Sequence, residues 1–393
     1  MSLLGAPLLV LLAVLAVGLP AATVLLWPRW RGPRAVRTLQ RLVSIMLCQV
    51  SAVLLLAVGV NDWGYFYASW SDLFGASSTN GRVVHDAATA AAGGRTGVAA
   101  NAVATSPAVA LGVTTARVRV DSTWAGPAQW ATRGRLETVT LAGPRSALRE
   151  PAIVYLPPQY FQPGYAHSTF PAAEVMTGYP GHEQALVARL HYPGVLLQEI
   201  QAARARPMVL VMLRPTVAPP RDTECTDVPA GPQALTYLAQ DVPAAVRTLA
   251  RVRPLGWGAV GDSTGGYCAV KLAMTHSDVF TSAVSLSGYF ATLHDATTGE
   301  LWGGSEVVRE QNDLQWRVTH LPAPPVSLLL TMSRQERGPV TGYAATRAFL
   351  AAARPPMQVD SLIEATGGHN FATWGAQLPQ ALDWLSRHLS ATG

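Results

Sequence analysis

Lysine is almost missing from this chain of 393 residues: of its 29 basic residues, only Lys271 is not arginine. Charge of either sign is scarce too, at 13% of residues, and the net charge is only +5. A chain so weakly charged is neither a solvated disordered polyelectrolyte nor an electrostatic match for nucleic acid, so no nucleic-acid partner is expected. Cysteine occurs three times, as Cys48, Cys225 and Cys268. Three are too few for a disulfide-rich scaffold or a multi-cysteine zinc module. No His or Cys pair has zinc-ligand spacing, and His182-Glu183 lacks the second His of a zincin, so no metal is implied.

Apolar residues, by contrast, reach 49%, and the mean hydropathy of +0.20 is high for a wholly soluble protein of this size. At about 150 residues per domain the length predicts two or three folding units. Residues 3–27 and 42–60 are apolar runs, each meeting the requirement of about 20 residues for a spanning helix. Between them, Arg29, Arg31, Arg34, Arg37 and Arg41 form a short basic loop, which the positive-inside bias assigns to the cytoplasm and so turns both flanking ends outward. A cleaved signal peptide wants its basic residues before the apolar core, whereas the first Arg here follows it. Trp63, Tyr65, Phe66, Tyr67 and Trp70 follow the second run, either as rings for the headgroup layer or as packing in a membrane-proximal helix. The expected organisation is an anchor over residues 1–75, an Ala/Gly-rich linker over 76–113 with at most one short helix, and a catalytic domain over 114–393 on the extracytoplasmic face.

Alternating runs at 116–120 and 136–141, followed by 152–156, predict an antiparallel edge. Continuous apolar strands at 173–177, 208–213, 257–261, 282–286, 326–332 and 358–363 alternate with helices at 194–203, 241–252, 265–275, 342–353 and 375–389. That order predicts an α/β fold, a mostly parallel central sheet with helices on both faces. Within it, Gly261-Asp262-Ser263-Thr264-Gly265 matches G-x-S-x-G between a strand and a helix, the context of a nucleophile elbow. A serine lifted off a strand end needs a strained turn, and the flanking glycines let neighbouring backbone pass. Gly256, Gly258 and Gly261 also spell a dinucleotide fingerprint. They lie inside the strand rather than after it, so no cofactor is expected.

A serine nucleophile needs an imidazole base and a carboxylate to orient it, in the chain order Ser, acid, His. His369, in a Gly-flanked loop between the last strand and the last helix, fits the base; His276 and His388 sit on helices that point them away. Glu336 follows strand 326–332 within four residues and is the first choice for the acid, with Asp360 and Glu364 as rivals. An ion pair with Arg334 or Arg337 is the structural alternative for Glu336. Two backbone N–H groups must hold the oxyanion. Thr264 supplies one by position, and Tyr179, after the strand that ends in Gly178, supplies the other unless Pro180-Gly181 forms a plain β-turn.

VYLPPQYF, VMTGYPG, GDSTGGY and GGHNFATWGAQLPQALDWL stand in the order and rough spacing of the esterase D-like α/β-hydrolases, which include the antigen 85 mycolyltransferases. The chain resembles that family over roughly residues 115–390, and its GGHNFATWGAQL is similar to the mycolyltransferase subgroup. The resemblance implies an α/β-hydrolase fold with Ser263 as nucleophile, Glu336 as acid, His369 as base, and Tyr179 and Thr264 as oxyanion donors. Secreted mycolyltransferases have a cleaved signal peptide and no spans; the anchor here is more similar to membrane-tethered actinobacterial esterases.

Under this topology Cys225 and Cys268 lie where disulfides are permitted. Both can approach the site's edge, so they are read either as a bridge or as buried thiols, while Cys48 packs in the second span. The expected activity is acyl transfer through an acyl-Ser intermediate from an acyl ester, of lipid or glycolipid type in the cell envelope, to water or to an alcohol. The alternative is an inactive, membrane-tethered binding domain on a hydrolase fold.

Overall fold

The computed structural model describes residues 3, 6–64, 66, 67, 69–74, 81–85, 118–338 and 341–389. They fall into two compact units, residues 1–78 with 366–373 and residues 79–365 with 374–393.

In the first unit, α1 (Ala6–Leu26) and α2 (Arg34–Gly64) are both long and apolar enough to cross a membrane. At a rise of 1.5 Å per residue, α1 measures about 30 Å, the thickness of a bilayer core. Val10, Val14, Val17 and Val24 are each at least 60% exposed, a surface that water disfavours and lipid does not. The second helix begins eight residues before the apolar run expected at 42–60, so Arg34, Arg37 and Arg41 are helical rather than part of a loop. Arg, Leu and Gln are good helix formers, and the Pro33 carbonyl accepts the Arg37 N–H at the start of the helix. After α2, Asn61 exchanges two hydrogen bonds with the Tyr67 backbone at 2.8 and 3.0 Å, fixing the turn that follows.

The second unit is built on a sheet in the order β1-β10-β9-β8-β7-β5-β6-β4-β3-β2. Its strands are β1 (Val83–His85), β2 (Arg119–Val120), β3 (Arg135–Gly143), β4 (Leu148–Leu156), β5 (Ala172–Met176), β6 (Val209–Leu213), β7 (Trp257–Asp262), β8 (Phe280–Leu286), β9 (Ser327–Ser333) and β10 (Gln358–Glu364). From β6 to β10 the pairing is parallel, while β2, β3 and β4 form the antiparallel edge that alternation predicted. The helices used below are α3 (Tyr192–Gln201), α4 (Val242–Leu249), α5 (Thr264–Thr275), α6 (Glu306–Asn312), α7 (Leu314–His320), α8 (Gly342–Ala352) and α9 (Phe371–His388).

Strand β6 shows why its sequence is continuously apolar. Val209, Val211 and Leu213 join the layer under α4 and α5, and Leu210 and Met212 join the layer under α3 and α9. A side-chain period of two on a sheet covered on both faces requires apolar residues at every position.

The sequence reading differs from the structure in the second unit as well. Val83–His85, inside the segment read as a linker, is an edge strand antiparallel to β10. Three residues are too short a run to stand out against an Ala/Gly background; residues 76–80 and 86–113 of that segment lie outside the described residues. Of the strand expected at 116–120, residues 118–120 are described, and Arg119–Val120 form β2. Helices α6 and α7 were not anticipated, although each starts on an N-cap: Ser305 Oγ accepts from Val308 N, and Asp313 accepts from Trp316 N.

Candidate active site

Strand β7 ends at Asp262 and α5 begins at Thr264, leaving Ser263 alone in the turn with φ +54° and ψ −121°. For a residue with a side chain this is a strained conformation. The turn is held on both sides: Ser263 N–H donates to Leu286 O on β8 at 3.0 Å, and Gly178 N–H donates to Asp262 Oδ2 at 2.9 Å. The glycines are demanded by the end of β5 and, for Gly261, by the Gly265 backbone as well. A Cβ on Gly261 would lie 2.6 Å from Met176 O, and one on Gly265 would strike both Met176 O and Thr177 O. Gly178 itself packs on the nucleophile, since a Cβ there would fall 2.9 Å from Ser263 Cβ.

That contact puts the chain at Tyr179 beside Ser263. Among the described residues no acceptor engages the Tyr179 N–H, while its phenol donates to Pro220 O at 2.6 Å. Pro180 follows in a cis peptide, and Gly181 N–H bonds back to Gly178 O at 2.8 Å. A tight turn is therefore present as well. Thr264 occupies the first position of α5, where the N–H has no intrahelical acceptor.

Glu336 is buried in the turn after β9, and its Oε1 accepts from Ser287 Oγ at 2.7 Å. Ser287, with φ +49°, directly follows β8 and donates its N–H to Thr331 O at 3.0 Å. Sequence reasoning passed over Ser287, a second left-handed serine before a glycine at a strand end. The parallel register sets β7, β8 and β9 side by side, so Ser263, Ser287 and Glu336 leave adjacent strand ends at one sheet edge. Both rival acids are engaged on the β1 side. Asp360 accepts from Trp384 Nε1 at 2.6 Å and pairs with His85 Nδ1 at 2.6 Å, and Glu364 Oε2 accepts the Gly81 N–H at 2.9 Å.

His369 stands five residues beyond β10 and two before α9, in a segment belonging to the first compact unit. Within its own loop, Gly368 N–H donates to Thr373 Oγ1 and Thr373 N–H to Asn370 Oδ1, both at 3.0 Å, so the turn carrying the imidazole is internally braced. His276 closes the far end of α5, and His388 stacks on Trp384 with its Nδ1 2.8 Å from Trp384 O.

Cys225 and Cys268 are joined in a disulfide with their Cα atoms 5.8 Å apart. Cys48 is a free thiol whose Sγ lies 3.5 Å from Thr23 Oγ1 on α1. Among the described residues no group of three or more His, Cys, Asp or Glu could hold a metal ion.

A model of the Esterase family matches residues 149–385. Among solved structures, the chain is similar to an S-formylglutathione hydrolase from Agrobacterium tumefaciens, with a TM-score of 0.56 and 13% identity over 66% of this chain and 97% of that one. A ferulic acid esterase gives 0.53 and 17%, covering 66% and 99% of the two chains. The fluorophosphonate-binding serine hydrolase F of Staphylococcus aureus gives 0.52 and 17%, covering 64% and 98%. At these identities the likeness is one of fold. No curated protein matches the sequence.

Proposed function

Because the chain belongs to the Esterase family, we propose that it is a membrane-anchored serine esterase or acyltransferase with Ser263 as nucleophile, His369 as general base and Glu336 as the carboxylate that orients it. The observation that carries this reading is the strained Ser263 turn between Gly261 and Gly265, with Gly178 packed against it and buried Glu336 in the turn after β9, two strands along the sheet.

In the first step His369 takes the hydroxyl proton as Ser263 Oγ attacks the ester carbonyl, and the carbonyl π electrons move onto oxygen. The N–H groups of Tyr179 and Thr264 stabilise that oxyanion. Collapse of the tetrahedral intermediate breaks the bond to the leaving alkoxide, which receives the proton from His369 and departs as alcohol. An acceptor hydroxyl, deprotonated by the same imidazole, then attacks the acyl-Ser and restores the enzyme.

Water as acceptor yields free acid, and a sugar or glycerol hydroxyl yields a new ester. The exposed apolar surface of α1 and α2 supports a membrane anchor, and the five arginines around their junction support a catalytic unit outside the cytoplasm. Acyl donors at such a surface are lipids or glycolipids of the envelope, and acyl chains longer than acetyl are preferred. The test is product partitioning: the full chain in detergent, given a p-nitrophenyl acyl ester and a panel of glycosyl and glyceryl acceptors, is followed by mass spectrometry. New ester is the expected product, because a bound acceptor can reach effective molarities of about 10⁵ M against water at about 55 M. Free acid alone at saturating acceptor contradicts transfer and leaves a carboxylesterase.

A further inference from the structure

Thr264, next to the proposed nucleophile, is buried, and its hydroxyl is committed to a network behind the elbow. Thr264 Oγ1 donates to Asp222 Oδ2 at 3.0 Å. Tyr289 Oη lies 3.3 Å from the same hydroxyl and donates to Glu224 Oε1 at 2.7 Å. Asp222 Oδ1 in turn accepts the Glu224 N–H at 3.0 Å, and Glu224 Oε2 takes the Leu293 N–H at 3.1 Å. Asp222, Glu224 and Tyr289 are each 3% exposed or less.

The turn that presents these carboxylates is itself strained. Glu224 and Cys225 have φ of +45° and +50°, two consecutive side-chain-bearing residues in the left-handed region. Such a conformation persists only where its surroundings hold it. Here α5 does so twice: through the Cys225–Cys268 disulfide, and through Lys271, whose Nζ donates to Glu224 O at 2.9 Å and to Thr226 Oγ1 at 3.0 Å. Burial pushes the Lys271 ammonium down to about 7 and the Glu224 carboxyl up to about 8. Apolar side chains would fill this volume without that desolvation. The arrangement costs stability, and it ends on Thr264, the residue after the proposed nucleophile.

We propose that Asp222 and Glu224, on a turn fastened by the Cys225–Cys268 bridge, are positioning residues that hold Thr264 so that its backbone N–H stays aimed at the developing oxyanion. This rests on the reading of Ser263 as nucleophile. The amide plane between Ser263 and Thr264 is held at its carbonyl, where Tyr267 N–H donates to Ser263 O at 3.1 Å. Anchoring the Thr264 hydroxyl on Asp222 holds that plane from the side-chain end as well before the substrate arrives, which is where electrostatic preorganisation gains its advantage over water.

The test is a double-mutant cycle in the full chain, in detergent, with p-nitrophenyl butyrate as substrate. Thr264→Val and Asp222→Asn should each lower kcat by about 10- to 100-fold, less than the loss of an oxyanion donor altogether, with KM held within about twofold. Thr264→Ser, which keeps the hydroxyl, should stay within about threefold of wild type. The double variant should be no worse than either single one, because both remove one link in the same chain. Independent, multiplying losses in the double variant, or a rise in KM at unchanged kcat, overturn the proposal. Should Asp222→Asn fail to fold by circular dichroism, Thr264→Val against Thr264→Ser decides alone, and wild-type kcat in Thr264→Val overturns it. Labelling by a fluorophosphonate separates the two levels of the argument. A wild-type chain that neither takes the probe nor turns over overturns the acyl-Ser reading and this inference with it. A labelled chain in which Asp222→Asn turns over like wild type overturns the positioning role only.

Discussion

Asp241 and Asp222 are both buried aspartates in the same unit, yet their hydrogen bonds lead to different places. Asp241, at the start of α4, accepts from Arg145 N–H at 3.2 Å, Ser146 N–H at 2.9 Å and Ser146 Oγ at 2.7 Å. All of these donors lie in the turn between β3 and β4, and the network closes that turn. Asp222 accepts from the backbone of its own strained loop and from the hydroxyl of Thr264. Strain by itself does not separate the two, since Ala147 in the β3–β4 turn is also left-handed, with φ +59°. What separates them is the destination: one carboxylate ends in a hairpin, the other beside Ser263. The two buried carboxylates are thus told apart by what they are connected to.

The largest effect that tests this contrast is Ser263→Ala. It should lower kcat by at least about 10³, the remainder coming from the oxyanion donors and binding, and should leave the melting temperature unchanged or raised, because a strained site is relieved of its function. Replacing Glu336 by Gln should cost about 10²-fold or more in kcat with little change in KM, since an amide holds the imidazole in the wrong tautomer.

On the Asp222 side, Cys225→Ala combined with Cys268→Ala should lower kcat about tenfold and lower the melting temperature together, as the turn loses its fastening. On the Asp241 side the two readouts should part. Asp241→Ala should destabilise by about 3 kcal/mol, by stranding buried N–H donors, and leave kcat within about twofold of wild type. Denaturant unfolding alongside steady-state kinetics measures both. Equal kcat losses on the two sides would erase the distinction.

The smallest effect is a pH signature at Lys271. Burial depresses its folded-state pKa from the ordinary 10.5 to about 7. Between those values the unfolded chain holds a proton that the folded chain has released. Stability from this group is thus fully present above the unfolded value and is lost as pH falls toward 7. The melting temperature of wild type relative to Lys271→Met should rise with pH across that window, by on the order of 1 kcal/mol of stability per pH unit. A difference that is flat in pH would contradict a desolvated lysine.

How much of this was legible in the sequence follows from how local each constraint is. The elbow was readable because the end of β5 and the first turn of α5 leave no room for a Cβ at 261 and 265, a demand written into five consecutive residues. The parallel strands were readable because two-sided burial forces unbroken apolar runs such as Val209–Leu213. Glu336 and His369 could be located only by their distance past a strand, and for the acid the sequence offered Asp360 and Glu364 as rivals, whose partners on the β1 side no spacing announces. The Asp222 network was invisible for a different reason: it joins residues 222, 224, 264, 271 and 289, and no period or spacing in the chain encodes a contact across 42 residues. Edge strand β1 was missed because its three residues acquire meaning only from β10, far along the chain.

The central claim is that Ser263 is an activated nucleophile, and a covalent adduct tests it most directly. The full chain, solubilised in detergent and incubated with a fluorophosphonate, is digested and its peptides sequenced by mass spectrometry. The account predicts one phosphonylated residue, Ser263, and no adduct in Ser263→Ala; an unlabelled wild-type chain, or an adduct carried by another residue, would contradict it.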